Sequence, residues 1–229
     1  MGGKNVVTID GPAGSGKSTI GRLLAGKMGW LYLDTGAMYR ALALAASRDG
    51  IAPDDGDSLG KRCQNLNLHF EPGDPPRLLM ADEDISTAIR SPEMDMLSSR
   101  VSSVSQVRRA MTALQRKMAL KACLIAEGRD MGTVVFPRAA CKFFLTASPR
   151  VRAERRYRER KARGETASLS EVEANLVKRD HQDRTRSLAP LVPAEDAHII
   201  DTSSLTIEEV VHAIFRRIPP EHEKTRPER

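Results

Sequence analysis

The chain has 229 residues, 40% of them hydrophobic and 29% charged, with 36 Lys and Arg against 30 Asp and Glu. This composition excludes a disordered polyelectrolyte, and no apolar run approaches the roughly 18 residues needed to cross a bilayer. The net charge of +6 is localised: residues 150–163 hold 8 basic and 2 acidic side chains, leaving 28 of each sign elsewhere, which is not the face-wide cation distribution of a protein that coats nucleic acid.

The first predicted element is a short β-branched strand, Asn5–Asp10, which leaves no room for a signal peptide ahead of it. It runs into Gly11-Pro-Ala-Gly-Ser-Gly-Lys17-Ser18, the phosphate-binding pattern Gly-x4-Gly-Lys-[Ser/Thr], and then into a predicted helix, Ser18–Met28. A strand before that pattern and a helix after it are what its mechanism requires. The glycines let the backbone wrap closely, so that successive N–H groups and the helix N-terminus converge on phosphate oxygens. The expected ATP cradle takes in Gly11, Pro12, Ala13, Gly14, Ser15, Gly16, Lys17, Ser18 and Thr19. Lys17 is expected to reach the β- and γ-phosphates, and the Ser18 hydroxyl to be a Mg²⁺ ligand.

A second strand is predicted at Trp30–Asp34 and a helix at Gly36–Arg48. The alternating stretch Asn65–Phe70, the turn residues Gly73-Asp74-Pro75-Pro76, and extended segments at Arg77–Met80 and Asp84–Ala88 predict a small antiparallel sheet, wet on one face. It reads as an insertion between the second and third core strands. Further strands are expected at Cys123–Glu127, Lys142–Thr146 and His198–Asp201. Ser168-x-x-Glu171 opens a helix reaching about Arg184, and Thr206-x-x-Glu209 opens another over Thr206–Arg217, both with capping-box spacing. Strands alternating with helices predict an α/β fold with a largely parallel sheet. The polar tail beyond Pro219-Pro220 is expected to be disordered. Cys63, Cys123 and Cys141 are an odd number, expected to be reduced and inert, which points to the cytoplasm. The five histidines show no metal-ligand spacing.

A GTPase would carry an Asn-Lys-x-Asp type of base reader, which is absent, and a motor ATPase a strand ending in Asp-Glu. The strand at Cys123 instead ends in Glu127-Gly128-Arg129-Asp130, and an arginine there suits a second anionic substrate. Phosphoryl transfer needs cations around the migrating group more than a strong base. On a helix, Arg152, Arg155, Arg156 and Arg160 share one face, and like charges at that spacing repel. The helix is therefore expected to be stabilised by a polyanion, as a lid that closes over a triphosphate and excludes water. The rival reading is a helix that binds nucleic acid, to which the single Tyr157 in this run lends little stacking.

Five segments together resemble the bacterial-type cytidylate (CMP) kinases: Ile9-Asp-Gly-Pro-Ala-Gly-Ser-Gly-Lys-Ser18, Leu33-Asp-Thr-Gly-Ala-Met-Tyr-Arg40, Glu127-Gly-Arg-Asp-Met-Gly-Thr-Val-Val-Phe-Pro137, Lys178-Arg-Asp-His-Gln-Asp-Arg-Thr-Arg186 and Ala189-Pro-Leu-Val-Pro-Ala194. The resemblance runs from about residue 4 to 217. It implies a five-stranded parallel P-loop kinase core with helices on both faces, the antiparallel insertion, and a mobile arginine-rich lid. Within one domain, 1–218, the core is expected at about 1–35, 104–148 and 186–218, the CMP-binding region at 36–103 and the lid at 149–168, with 219–229 as tail. Thr35, Arg40, Arg129 and Arg186 match the CMP phosphate binders, Arg179 and Asp183 the ribose contacts, and Ser99, Arg108 and Asp130 the cytosine readers. Lys17, Arg129, Arg155, Arg156 and Arg186 are the cations expected around the transferred group. The expected enzyme is a monomeric, cytoplasmic ATP and Mg²⁺-dependent kinase of CMP and dCMP, with no nucleic-acid or membrane partner. The alternatives are a UMP or other small-molecule P-loop kinase, or a nucleic-acid-binding P-loop ATPase. Two departures stand out: Glu127 occupies a position where the family often has Asp, and the helix start expected at Ser105-Gln106 lacks a proline often found just before the arginine matching Arg108.

Overall fold

β1 (Val6–Asp10) is buried along its whole length, as a central strand of a parallel sheet must be. The computed structural model describes residues 5–71, 73 and 76–219. In it β1 pairs with β6 (Leu124–Gly128) on one side and β7 (Cys141–Thr146) on the other. β2 (Leu31–Asp34) and β8 (His198–Asp201) are the outer strands, giving the order β2-β6-β1-β7-β8. All five strands were anticipated to within a residue or two. The β1 register sets Ile9 beside Glu127 and Asp10 beside Gly128, so the P-loop strand and the Glu-Gly-Arg-Asp strand end at the same level. Ligands of open α/β sheets bind at that carboxyl end.

The chain divides into two compact units, one ending at Tyr32 and resuming at Ala119, the other spanning Leu33–Met118. In the first, α1 (Lys17–Met28) and α8 (Ile207–Phe215) cover one sheet face. Ile20, Leu24, Val210 and Ile214 there pack with Val7, Ile9, Ile125 and Phe143; each such aliphatic side chain contributes about 1.5–3 kcal/mol when fully buried. The other face carries Thr8, Asp10 and Lys142 beneath a wide helical turn at Met131–Val135. α6 (Pro149–Ala162) starts on a Ser148 cap and packs on α7 (Leu169–Thr185) through Ala153, Val172 and Leu176. Both anticipated capping boxes form, Ser168 with Glu171 and Thr206 with Glu209.

In the second unit α2 (Thr35–Arg48), capped by Asp34, buries Met38, Ala41, Leu42 and Ala45. The antiparallel sheet β3 (Leu68–Glu71), β4 (Arg77–Met80) and β5 (Glu83–Asp84) forms as expected, with Leu68 and Leu78 inward and His69 and Arg77 outward. The third segment is shorter than the predicted Asp84–Ala88. It stops because the Ser86 N–H turns back to the Asp84 side chain at 2.9 Å and Ala88–Arg90 coils into a tight helical turn. Three helices complete the unit: α3 (Gly56–Gln64), α4 (Pro92–Val101) and α5 (Ser105–Ala119). The first two were not anticipated. Pro72, Asp74 and Pro75 of the expected turn, and the tail from Pro220, lie outside the described residues. Among the described residues no helix is long and apolar enough to cross a membrane.

Candidate active site

The loop between β1 and α1 has the form its sequence demands. Gly14 and Gly16 take left-handed conformations, with φ of 76° and 92°, that a side chain would strain. Gly16 caps α1 without any side-chain hydrogen bond to the first-turn amides, so those N–H groups and the helix dipole are free for an anion. Ser15 Oγ and Lys17 Nζ both donate to the Pro12 carbonyl, at 3.0 and 2.7 Å. Lys17 is buried. Burial, followed by the positive charge of Arg129, pulls its ammonium well below the usual lysine range, so an incoming phosphate relieves both penalties. Ser18 is exposed at the start of α1, and its hydroxyl donates to Glu127 Oε1 at 2.8 Å. Thr19 is half-buried beside it.

The end of β6 supplies the second group. Arg129 Nε donates to Asp183 Oδ2 of α7 at 2.8 Å. Arg186, just past the end of α7, holds the Ala189 carbonyl through Nε at 2.7 Å and sits 3.7 Å from Asp130 and 3.9 Å from Asp183. Burial alone would raise the Asp183 carboxyl, but Arg129, Arg179 and Arg186 outweigh it and hold it below the usual carboxylate range. Asp183 correspondingly raises Arg129 against the effect of burial. Arg179 is close enough to depress Lys17. One unit thus gathers Lys17, Ser18, Arg129, Asp130, Arg179, Asp183 and Arg186, every predicted residue of β6, α7 and the loop that follows it. Cations exceed carboxylates in this set, as a site for two phosphorylated substrates requires.

The second unit holds the other predicted residues. Thr35 is buried in the first turn of α2. Arg40 lies 3.4 Å from Asp34 and 4.0 Å from Asp95 of α4. Arg108 of α5 is buried, donates to the Ser102 carbonyl at 3.3 Å and stands 6.0 Å above the Tyr39 ring. Ser102 Oγ in turn donates to the carbonyl of half-buried Ser99 at 2.9 Å, so Ser99 and Arg108 belong to one local network.

The arginine helix α6 differs from expectation. Three of the four arginines on that face are paired within the protein: Arg152 with Asp180 of α7 at 2.7 Å, Arg156 with Glu159 at 3.1 Å, and Arg160 with Glu165 at 2.8 Å. The repulsion expected to demand a polyanion is partly offset by Glu159 on α6, Glu165 in the loop after it and Asp180 on α7. Arg152 is buried and also donates to the carbonyls of Ala147 and Ala13, which makes it a strut beneath the P-loop. Arg155 has its guanidinium on the Thr202 hydroxyl and carbonyl, at 2.9 and 2.6 Å, and the Thr202 hydroxyl lies 3.2 Å from the Ser15 carbonyl.

Sequence reasoning passed over Asp10 and Lys142. Asp10 is buried and accepts from the N–H groups of Met131 and Gly132, each at 2.8 Å. Burial pushes its carboxyl up to about 6 in spite of those donors. Lys142 Nζ ties the Pro137 carbonyl to Asp196, at 2.7 and 2.8 Å. A charged residue inside an otherwise apolar central strand was the available signal.

A ligand set for a hard cation takes hydroxyl, carboxylate and water oxygens. The Ser18 hydroxyl beside the Glu127 carboxylate fits that chemistry, and no group of three or more His, Cys, Asp or Glu among the described residues could hold a metal ion.

Comparison with known proteins agrees with this geometry. The family model described as cytidylate kinase matches residues 7–220. The chain is 50% identical over 214 residues to a cytidylate kinase of Geobacter sp. (strain M21), covering 93% of this chain and 92% of that one. It is 49% identical over 207 residues to the cytidylate kinase of Geobacter sulfurreducens, covering 90% and 89%. With that of Carboxydothermus hydrogenoformans the identity is 44% over 213 residues, covering 93% and 96%. The chain belongs to the cytidylate kinase family.

Proposed function

We propose that the chain transfers the γ-phosphoryl group of ATP to the 5′-phosphate of CMP and of dCMP, releasing ADP and the corresponding diphosphate. The observation that carries this reading is the gathering of Lys17, Arg129, Arg179 and Arg186 next to the phosphate-binding loop, with buried Asp130 and Asp183 between them. The nucleophile is an oxygen of the CMP phosphate, already ionised near neutral pH, so no general base is needed. A bond forms from that oxygen to the γ-phosphorus as the bond to the β–γ bridging oxygen breaks, and the leaving ADP takes the electron pair.

The protein supplies position and charge. Amides of residues 11–19 and Lys17 hold the ATP phosphates. Thr35, Arg40, Arg129 and Arg186 hold the CMP phosphate, Arg179 and Asp183 the sugar. Arg155 and Arg156 bring charge to the transferred group when α6 closes as a lid and excludes water. Ser18, its hydroxyl oriented by Glu127, would hold Mg²⁺, which would supply neutralising charge to the ATP phosphates.

Base choice follows from hydrogen-bond types. Cytosine offers two acceptors, O2 and N3, and a donor amine; Arg108 donates, while Asp130 and Ser99 accept. Uracil sets an oxygen against Asp130 and an N–H against Arg108, leaving buried groups mispaired. The testing experiment is ADP formation with Mg-ATP against CMP, dCMP, UMP, AMP, GMP and shikimate. CMP and dCMP are expected to be the best acceptors; equal use of UMP removes the base assignment, and turnover with shikimate alone removes the nucleotide.

A further inference from the structure

Asp10 is the last residue of the P-loop strand, and its side chain reaches the backbone that follows β6. Both carboxylate oxygens bind one short piece of backbone, with Oδ1 accepting from the Met131 N–H and Oδ2 from the Gly132 N–H, each at 2.8 Å. These are the two amides that follow Arg129 and Asp130. They open the wide turn Met131–Val135, whose own start, at Asp130, carries no side-chain cap. A pair of consecutive amides on one carboxylate fixes the turn in direction as well as in place.

The space around this contact is closed. A Cβ added to Gly132 would stand 3.1 Å from Thr8 Oγ1, 3.1 Å from Lys142 Cδ and 3.4 Å from Asp10 Oδ2. Thr8 and Lys142 are themselves buried and face each other across the β1–β7 ladder, and Lys142 anchors the far end of the turn through the Pro137 carbonyl. The turn therefore has little freedom except to follow Asp10. Arg129 and Asp130, fixed to the strand on one side and to this carboxylate on the other, take their aim from it.

We propose that Asp10 is a positioning residue for the acceptor nucleotide: by clamping the amides of Met131 and Gly132 it sets the direction of Arg129 and Asp130, and so ties the P-loop strand to the residues that read the CMP phosphate and base. The inference rests on the reading of Arg129 and Asp130 as CMP contacts given above. Asp10 touches neither substrate. It acts on CMP through the turn; its charge also supports that of Lys17, so Gly132→Ala, which keeps the carboxylate, separates the handling of CMP from that of ATP.

The test compares three variants of the full chain. Asp10→Asn keeps shape but sets an amide donor against a backbone N–H; Gly132→Ala keeps the carboxylate and crowds the turn off it. Asp130→Asn is the control for base reading. Each is checked for folding by its thermal unfolding midpoint, then assayed for KM of CMP, KM of ATP and the CMP-over-UMP ratio of kcat/KM. Misaiming a bound substrate by about 1 Å costs up to a hundredfold. Asp10→Asn and Gly132→Ala are thus expected to lose about tenfold to a hundredfold in kcat/KM for CMP and to narrow the CMP-over-UMP ratio, with KM for ATP within about twofold for Gly132→Ala, which keeps the charge beside Lys17. A merely structural role would move the unfolding midpoint and leave the ratio alone. If Asp130→Asn narrows the ratio while the other two variants leave it and the CMP KM unchanged, Asp10 is not a positioning residue. If Asp130→Asn itself leaves the ratio unchanged, base reading by Asp130 is wrong, and Asp10 is then decided on the CMP KM alone: a rise supports positioning through Arg129, and an unchanged value overturns it. Should Asp10→Asn not fold, Gly132→Ala decides by the same measures.

Discussion

The guanidinium of Arg152 on α6 meets the carboxylate of Asp180 on α7 at 2.7 Å, with both side chains almost wholly removed from water. A buried pair is costly to break from one side, because the remaining charge has neither water nor a partner. Arg152→Ala would strand Asp180, whose other oxygen already lacks a hydrogen bond, and would release the Ala147 and Ala13 carbonyls. The expected cost is about 3–5 kcal/mol, or a drop of roughly 10 °C in Tm for a chain of this size. Arg152→Met combined with Asp180→Leu is expected to recover part of it, since an apolar pair of similar volume leaves no stranded charge. Urea denaturation of the parent, the single and the double variant checks this. A loss below about 1 kcal/mol for Arg152→Ala would show that this pair contributes little to stability.

That pairing marks where sequence stops being informative. The P-loop, the parallel strands and both capping boxes were legible because each is specified within a few consecutive residues. The run on α6 was legible as a charge excess but not as a partly paired one, because Asp180 is 28 residues from Arg152 and reaches it only once α7 folds back. α3 was missed for a related reason. Gly56 and Gly60 lower its intrinsic propensity, and what favours those glycines is the Gln106 side chain lying where a Cβ at either would be. α4 was readable in retrospect, with Ser91 as cap and Pro92 in its first turn. The candidate residues after β6 and on α7 could be named from the sequence, but their mutual pairing, Arg129 with Asp183 and Arg186 with Asp130, depends on tertiary contact alone.

The hydrogen bond from Ser18 Oγ to Glu127 Oε1 bears on the proposed use of Mg²⁺. On the reading of Ser18 as its ligand, Glu127 orients that ligand without needing to be one, and losing such a partner typically costs about 10–100-fold in metal affinity. Glu127→Gln is expected to raise the half-saturating Mg²⁺ concentration by that factor at fixed ATP and CMP, with a smaller change in the rate at saturating Mg²⁺. Removing the cation with EDTA is expected to abolish ADP formation, and added Mg²⁺ to restore it. A Mg²⁺ titration superimposable on the parent's would exclude Glu127 from this role.

Asp183 sets a pH dependence. Its folded carboxyl is held below the usual range by Arg129, Arg179 and Arg186, against the opposing effect of burial. A depressed acid stabilises the fold above its unfolded value of about 3.9. That contribution is lost as pH falls through the folded value. The parent's Tm is therefore expected to fall below about pH 4. Asp183→Asn is expected to be less stable than the parent at pH 7, with a difference that shrinks as pH is lowered from 5 to 3. Calorimetry at several pH values measures it. A difference constant across that range would show that the Asp183 charge contributes nothing to stability.

Asp130 provides the sharpest test of substrate choice. It is buried and lies 3.7 Å from Arg186, so its charge is compensated and its oxygens are held as acceptors. On the proposed reading it matches the amine of cytosine and opposes the oxygen of uracil. Asp130→Asn would then turn one acceptor into a donor that matches uracil, while Arg108, a pure donor, would still oppose the uracil N–H. The preference is thus expected to narrow without inverting. One corrected mispairing of a buried group is worth about 1–3 kcal/mol, which predicts a fall of about tenfold to a hundredfold in the ratio of kcat/KM for CMP over UMP. Loss of the charge also loosens Arg186, so kcat is expected to fall for both acceptors; that common loss cancels in the ratio and separates phosphate handling from base reading. A variant slower with both nucleotides but with the parent's ratio would leave Asp130 a role in holding Arg186 and remove it from recognition of the base.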